Sequence, residues 1–223
     1  MNCIQKEISI FLSSLSPIYA PIKNECKQYL NYCSMIDRDF SADENGNTLS
    51  FMEMLCIGHN PCLYKDSYLF TLNKGIDPKW LNEFYERTGT NIPKIYSDFL
   101  LEMNGCHLFD MMVDGITLLG LPPRIYYQKS KKPYMVQDLE HPEVKKDKDS
   151  PDWYFNYYNG FNIGSRSADD QDILIGYFIL DDKIITASHG GKIENEYSNF
   201  TEFLSSEIIL ARDNFLNIAC NNI

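Results

Sequence analysis

Apolar residues from Ile4 to Cys33 recur at helical spacing: Ile4, Ile8, Phe11, Leu12 and Leu15, then, beyond Pro17 and Pro21, Ile22, Cys26, Tyr29, Leu30 and Cys33. Two helices broken near the prolines are predicted. The polar run Asp37 to Asn47, centred on Asp-Glu-Asn-Gly, predicts a loop. Leu49 to Ile57 is apolar without a period that separates helix from strand. Ser67 to Leu72 alternates, with Tyr68, Phe70 and Leu72 on one face, and predicts a strand closed by the turn Asn73-Lys-Gly-Ile.

The next stretch, Asp77 to Gly105, predicts two short helices with their own start and stop signals. Asp77 is placed to cap free amides, and Pro78 suits the first helical position because its missing N–H is not needed there. Trp80, Leu81, Phe84 and Tyr85 share one face, and Gly89 supplies the left-handed stop. Pro93 opens the second helix, Tyr96, Phe99, Leu100 and Met103 form its face, and Asn104-Gly105 is the expected end.

Beyond Gly105 the period shortens. Gly115 to Pro123, Arg124 to Gln128 and Pro133 to Val136 are β-like, and Trp153 to Tyr158 is an aromatic run followed by Phe161, Ile163 and Gly164. The clearest strand is Asp172 to Leu180, with Ile173, Ile175, Tyr177 and Ile179 alternating. It is expected to pair with Lys183 to Ala187 across an Asp181-Asp182 turn. A last helix has Asn199 as its cap, Glu202 as the capping-box partner, and Phe200, Phe203, Leu204, Ile208, Ala211, Phe215 and Ile218 on one face.

Trp80, Phe84, Gly89, then Ile92-Pro93, Tyr96, Phe99-Leu100 and Asn104-Gly105 together form a spacing that resembles the signature of the SUKH superfamily. That superfamily includes bacterial immunity proteins that neutralise toxins of polymorphic and contact-dependent systems, and a fungal regulator of cell-wall synthesis. The likeness extends over about residues 77 to 210. It implies an α+β domain, a mostly antiparallel sheet flanked by helices, over 76–223. Residues 1–75 are then a largely helical N-terminal extension packed on that core. The resemblance also implies a non-catalytic immunity protein that binds and neutralises a cognate toxin.

Charge sharpens where such a partner would bind. The chain carries 20 Lys+Arg against 31 Asp+Glu, a formal net charge of −11. That balance argues against nucleic acid, whose phosphates are held by clustered Lys and Arg. It favours a basic protein, since opposite fields speed encounter. A basic stretch over Arg124, Lys129, Lys131, Lys132, Lys145, Lys146 and Lys148 is interleaved with Asp138, Glu140, Glu143 and Asp147, and reads as a solvated loop. Acids concentrate later: Asp169, Asp170, Asp172, Asp181, Asp182, Glu194, Glu196, Glu202 and Glu207 face only Lys183 and Lys192. The expected contact surface comprises Asp169, Asp170, Asp172, Asp181, Asp182, Glu194 and Glu196, with Tyr157, Tyr158 and Tyr197 as exposed aromatic anchors. The expected partner is a basic toxin domain; toxin nucleases, which carry phosphate-binding surfaces, are of that kind.

Catalytic groups are sparse. His59, His107, His141 and His189 are scattered, and His189-Gly-Gly has no nucleophile elbow to accompany it. Asp110 with Asp114, or Asp169 and Asp170 with Asp172, are the carboxylates that a metal-dependent hydrolase would use. No catalytic residue, metal or cofactor is expected. The two rival readings are a regulatory interaction module of the same fold and that hydrolase. The seven cysteines are dispersed without a Cys-x-x-Cys pair and read as reduced core thiols. No apolar run reaches the roughly 18 residues of a membrane helix, and a cytoplasmic chain is expected.

Overall fold

A computed structural model of the chain describes residues 3–36, 41–42, 48–49, 55–57, 70–89, 91–109, 115–121, 160–168, 173–188 and 192–221. Helices α1 (Cys3–Ser14) and α2 (Ala20–Ile36) are separated by a 3-10 turn at Pro17–Tyr19, where proline ends the first hydrogen-bond ladder. Short strands β1 (Ser41–Ala42) and β2 (Thr48–Leu49) pair with each other, within and just after the predicted polar loop. Strands β3 (Leu55–Ile57) and β4 (Phe70–Lys74) precede α3 (Pro78–Thr88) and α4 (Lys94–Glu102). Then come β5 (Met103–Leu108), β6 (Ile116–Leu118), β7 (Phe161–Ala168), β8 (Ile173–Leu180), β9 (Lys183–Ala187), β10 (Ile193–Tyr197) and α5 (Phe200–Asn221).

The main sheet has the order β10-β9-β8-β7-β6-β5-β4-β3. Strands β4 to β10 are antiparallel to their neighbours, and β3 adds at the edge in parallel with β4. The molecule is therefore of the α+β class. Alternation decides the faces: Ile175, Tyr177 and Ile179 enter the main core, while Phe178 joins Ile185 and Ala187 in a second cluster on the opposite side. Helix α5 covers the Tyr177 face, with Phe203 edge-on to Tyr177 at 4.9 Å between ring centres. Leu12, Ile22 and Cys26 from the first two helices enter the same core as Phe70, Leu72 and Phe200, so the chain on both sides of residue 75 builds it. The Thr201 hydroxyl donates to Ile18 O at 2.8 Å and ties the start of α5 to the 3-10 turn.

The caps of α3 are those its residues predict. Asp77 Oδ1 accepts from Lys79 N at 2.8 Å, Pro78 occupies the first position, and Gly89 has φ +67° with its N–H donating to Tyr85 O. Trp80 and Phe84 are buried, but Tyr85 is 55% exposed and does not belong to the apolar face predicted for it. The end of α4 also differs from expectation. The helix stops at Glu102, and Met103, Asn104 and Gly105 run directly into β5. Asn104 is a cross-sheet clamp: its Oδ1 accepts from Leu121 N at 2.7 Å and its Nδ2 donates to Leu121 O at 2.9 Å. Gly105 has φ +79°, and a Cβ there would lie 2.7 Å from both Gly120 N and Leu118 O. Only glycine permits that approach of β5 to the chain leaving β6.

One further boundary moved. Asn73 and Lys74, expected in a turn, complete β4. Strand β7 passes through Gly164 with a register shift, and Asn162 Oδ1 accepts from Gly164 N at 2.8 Å. The cap of α5 is Asn199, whose Oδ1 accepts from Glu202 N at 2.8 Å.

Candidate functional site

The acidic region divides into charges that face solvent and one that does not. Asp181 and Asp182 form the two-residue turn between β8 and β9, with φ of 49° and 61°. Aspartate tolerates that left-handed backbone better than most residues, so the turn itself explains both. Glu194 and Glu196 are exposed on β10, the edge strand. Glu196 Oε2 accepts from Lys183 Nζ at 2.9 Å, which sets β10 beside the Asp181-Asp182 turn. The 2.9 Å pair is open to water and contributes little to stability. Asp181, Asp182 and Glu196 lie at the Lys183 end of β9, whereas Glu194 lies near the Ala187 end, so the exposed acids are spread along the β9–β10 edge. Asp169, Asp170, Asp172, Tyr157 and Tyr158 lie outside the described residues.

Tyr197 is a correction. It was expected as an exposed anchor, but it is only 7% exposed. As the last residue of β10 it turns toward α5, where its ring meets Phe203 at 5.6 Å and its hydroxyl donates to Glu207 Oε1 at 3.3 Å. Burial, then the Glu207 charge, push its pKa up to about 12, so the phenol stays protonated as a donor. Glu207 is likewise no surface acid: at 2% exposed, its Oε2 accepts from Arg166 Nε at 2.8 Å and from the Tyr177 hydroxyl at 2.7 Å. This buried network joins β7, β8, β10 and α5. Nothing in local periodicity marks it, because its four members come from four separate elements.

The motif residues lie in the core. Tyr96, Phe99 and Leu100 are fully buried, and the Tyr96 hydroxyl sits 2.6 Å from Leu119 O and 3.0 Å from Ile163 O. Ile92 packs against the core from a half-buried position, and Pro93 O accepts from Tyr96 N and Ser97 N at 2.9 Å each. None of these side chains presents chemistry to a partner. They place α4 on the sheet.

A shallow cleft of about 330 Å³ opens between the 3-10 turn and α4. Ile18, Ile95 and Leu101 supply its apolar wall, and Tyr19, Asp98 and Glu102 its polar groups. Glu102 Oε2 accepts from Ser16 N at 2.6 Å, while both Asp98 oxygens face Lys94 Nζ at 2.9 Å.

One buried acid lacks full satisfaction. Glu25 on α2 is 4% exposed, its Oε1 has no hydrogen-bond partner, and Arg212 Nη1 of α5 stands 3.9 Å from Oε2. Burial raises its pKa, the Arg212 charge lowers it less, and Asp213 adds to the rise. A carboxyl raised in the folded state stabilises the fold while protonated and loses that contribution as pH climbs from the ordinary carboxylate range through the raised value. Glu25→Gln is therefore expected to be more stable than the parent at pH 7, by on the order of 1 kcal/mol, the scale of an unsatisfied buried polar group. Urea unfolding checks it. The difference should vanish below the ordinary carboxylate range.

Burial also drives the Cys26 and Cys106 thiols well above their ordinary pKa, which keeps them protonated and unreactive. Among the described residues, no three His, Cys, Asp or Glu side chains are grouped to hold a metal ion. Asp110 and Asp114 lie outside those residues. Among the described helices, none is long and apolar enough to cross a membrane. Compared with known proteins, the chain matches no family model, no curated protein and no solved structure.

Proposed function

We propose that this chain is a non-catalytic immunity protein of SUKH type, with residues 76–223 as the SUKH-like domain and 1–75 as an extension on it, and that it binds and neutralises a basic toxin domain. The observation that carries the reading is the exposed acidic edge that runs from the Asp181-Asp182 turn along edge strand β10 through Glu196 and Glu194. Carboxylates at a sheet edge repel a second acidic copy of this chain and steer a cationic surface toward it. Bound to a nuclease, they would take the place of the substrate's phosphates and block its active site without catalysis. The spacing from Trp80 to Gly105 supports the family reading independently of charge.

The test is a pull-down and a growth-protection assay against the C-terminal domain of a toxin encoded beside this chain. Complex formation with rescue of growth supports the reading, and failure of both removes it for that pair. Reversing Glu194 and Glu196 to Lys is expected to lower the association rate by about tenfold at low salt and to flatten its dependence on ionic strength. Stopped-flow association measures this. An unchanged rate would move the interface away from β10.

A further inference from the structure

Helix α5 buries Phe203, Leu204, Glu207, Ile208 and Ala211 in the fold, which turns the opposite stripe of the helix outward. That stripe is not the polar surface that an unpartnered helix carries. Among the described residues six large apolar side chains are exposed, and three of them, Ile209, Leu210 and Leu216, stand here within about two helical turns. Ile209 is 48% exposed and Leu216 45%. Asp213 lies between them at the i, i+4, i+7 spacing of one stripe, its side chain 55% exposed, and Arg212 borders it at 31%.

The order of these groups selects what can cover them. Arg212 and Asp213 stand at the centre with opposite charges, and Ile209 and Leu216 stand at equal distances outside them on either side. Turned end for end, the stripe meets itself with every group in a complementary place: Ile209 against Leu216 and Arg212 against Asp213, twice over. Such a surface is self-complementary about a two-fold axis, as an isologous contact requires. Asp213 Oδ1 accepts from Arg212 Nε at 3.1 Å and Nη2 at 3.0 Å, and a carboxylate has lone pairs for a second arginine as well. A basic protein would find one carboxylate here with a cation beside it, so charge does not select that partner.

We propose that the outer stripe of α5 is the contact between two copies of this chain. The two helices cross antiparallel, with Ile209 of one copy against Leu216 of the other and each Arg212 beside the other copy's Asp213. The stripe is short, so the contact belongs at the small end of protein interfaces, below about 1,200 Å² in total, and the dimer is expected to dissociate with a Kd on the order of 100 µM. The formal charge of −11 makes two copies repel at a distance. Salt screens that repulsion while the exposed Arg212–Asp213 pairs lose little by it, so the dimer tightens as salt rises. Binding of a basic partner at β10 changes in the opposite sense. The contact uses a different surface from the β10 edge, and its failure leaves the immunity reading where it stands.

Sedimentation velocity of the full chain from about 10 µM to about 1 mM tests the contact by mass action. A sedimentation coefficient that rises with concentration is expected, with a Kd about threefold lower in roughly 0.5 M salt than in roughly 0.05 M. Ile209→Glu and Leu216→Lys are each expected to raise the Kd more than about tenfold, since each sets a charge against an apolar side chain at both ends of the contact. Combined in one chain, the two substitutions place a carboxylate opposite an ammonium twice and should restore the dimer, now weakened by salt. A parallel pair of helices would bring like charges together and show no recovery. Both positions are exposed and both introduced residues suit a helix, and circular dichroism melts verify the fold. A chain monomeric at every concentration, single variants that associate as the parent does, or no recovery in the double variant would overturn the proposal. A monomer that instead floats with phosphatidylcholine vesicles would overturn it in favour of a lipid surface.

Discussion

Glu207→Ala is expected to destabilise the fold by about 3–5 kcal/mol, the range for removing one member of a buried ion pair. The size follows from what stays behind. Arg166, 7% exposed, loses the carboxylate 2.8 Å from its Nε, and the Tyr177 and Tyr197 hydroxyls lose their shared acceptor. Against a total stability of about 5–15 kcal/mol, this is a large fraction. Guanidinium unfolding of parent and variant at pH 7 measures it. Replacing both partners with apolar residues, Arg166→Met with Glu207→Leu, should recover much of the loss, since no buried charge then remains without its counter-charge. If the single variant unfolds at the parent's midpoint, the network is not what holds α5 on the sheet.

Phe99→Ala is the second large effect, again about 3–5 kcal/mol, from lost transfer energy and the cavity left behind. Phe99 is fully buried, and its ring meets Tyr19 at 5.4 Å, Tyr96 at 5.2 Å and Phe200 at 5.4 Å. Those three partners come from the 3-10 turn, α4 and α5, so the substitution removes the contact where the N-terminal, central and C-terminal segments meet. Calorimetry of the variant reads the loss. Binding per folded molecule should be unchanged at the acidic edge, because Phe99 belongs to the motif that places α4 and not to any surface. A selective loss of binding in a variant of parental stability would reverse that assignment.

Helix faces were legible because periodicity is a local property. Phe200, Phe203, Leu204, Ile208 and Ala211 are buried as their spacing predicts, and the Asp77, Gly89 and Asn199 caps use the residues expected of them. The β8–β9 hairpin was legible for the same reason, since alternation and a two-residue turn sit next to each other in the chain. The acidic edge was readable in part. Glu194 and Glu196 are exposed, whereas Tyr197 and Glu207 face inward. A count of charges along the chain cannot tell a solvated glutamate from one paired in the core, because the pairing arginine lies 41 positions away.

The stretch from Asp77 to Gly105 shows where the division falls. By itself the sequence determined the helices there, since caps, proline and apolar spacing act within a few residues of where they stand. Tertiary structure alone decided what Asn104 and Gly105 do. An Asn-Gly pair after an amphipathic run has the local chemistry of a helix stop. In the folded chain Asn104 binds the backbone of Leu121, and Gly105 admits the close approach of residues 118–120. The partners are distant in sequence, and only the packed sheet brings their backbones within hydrogen-bonding and van der Waals range.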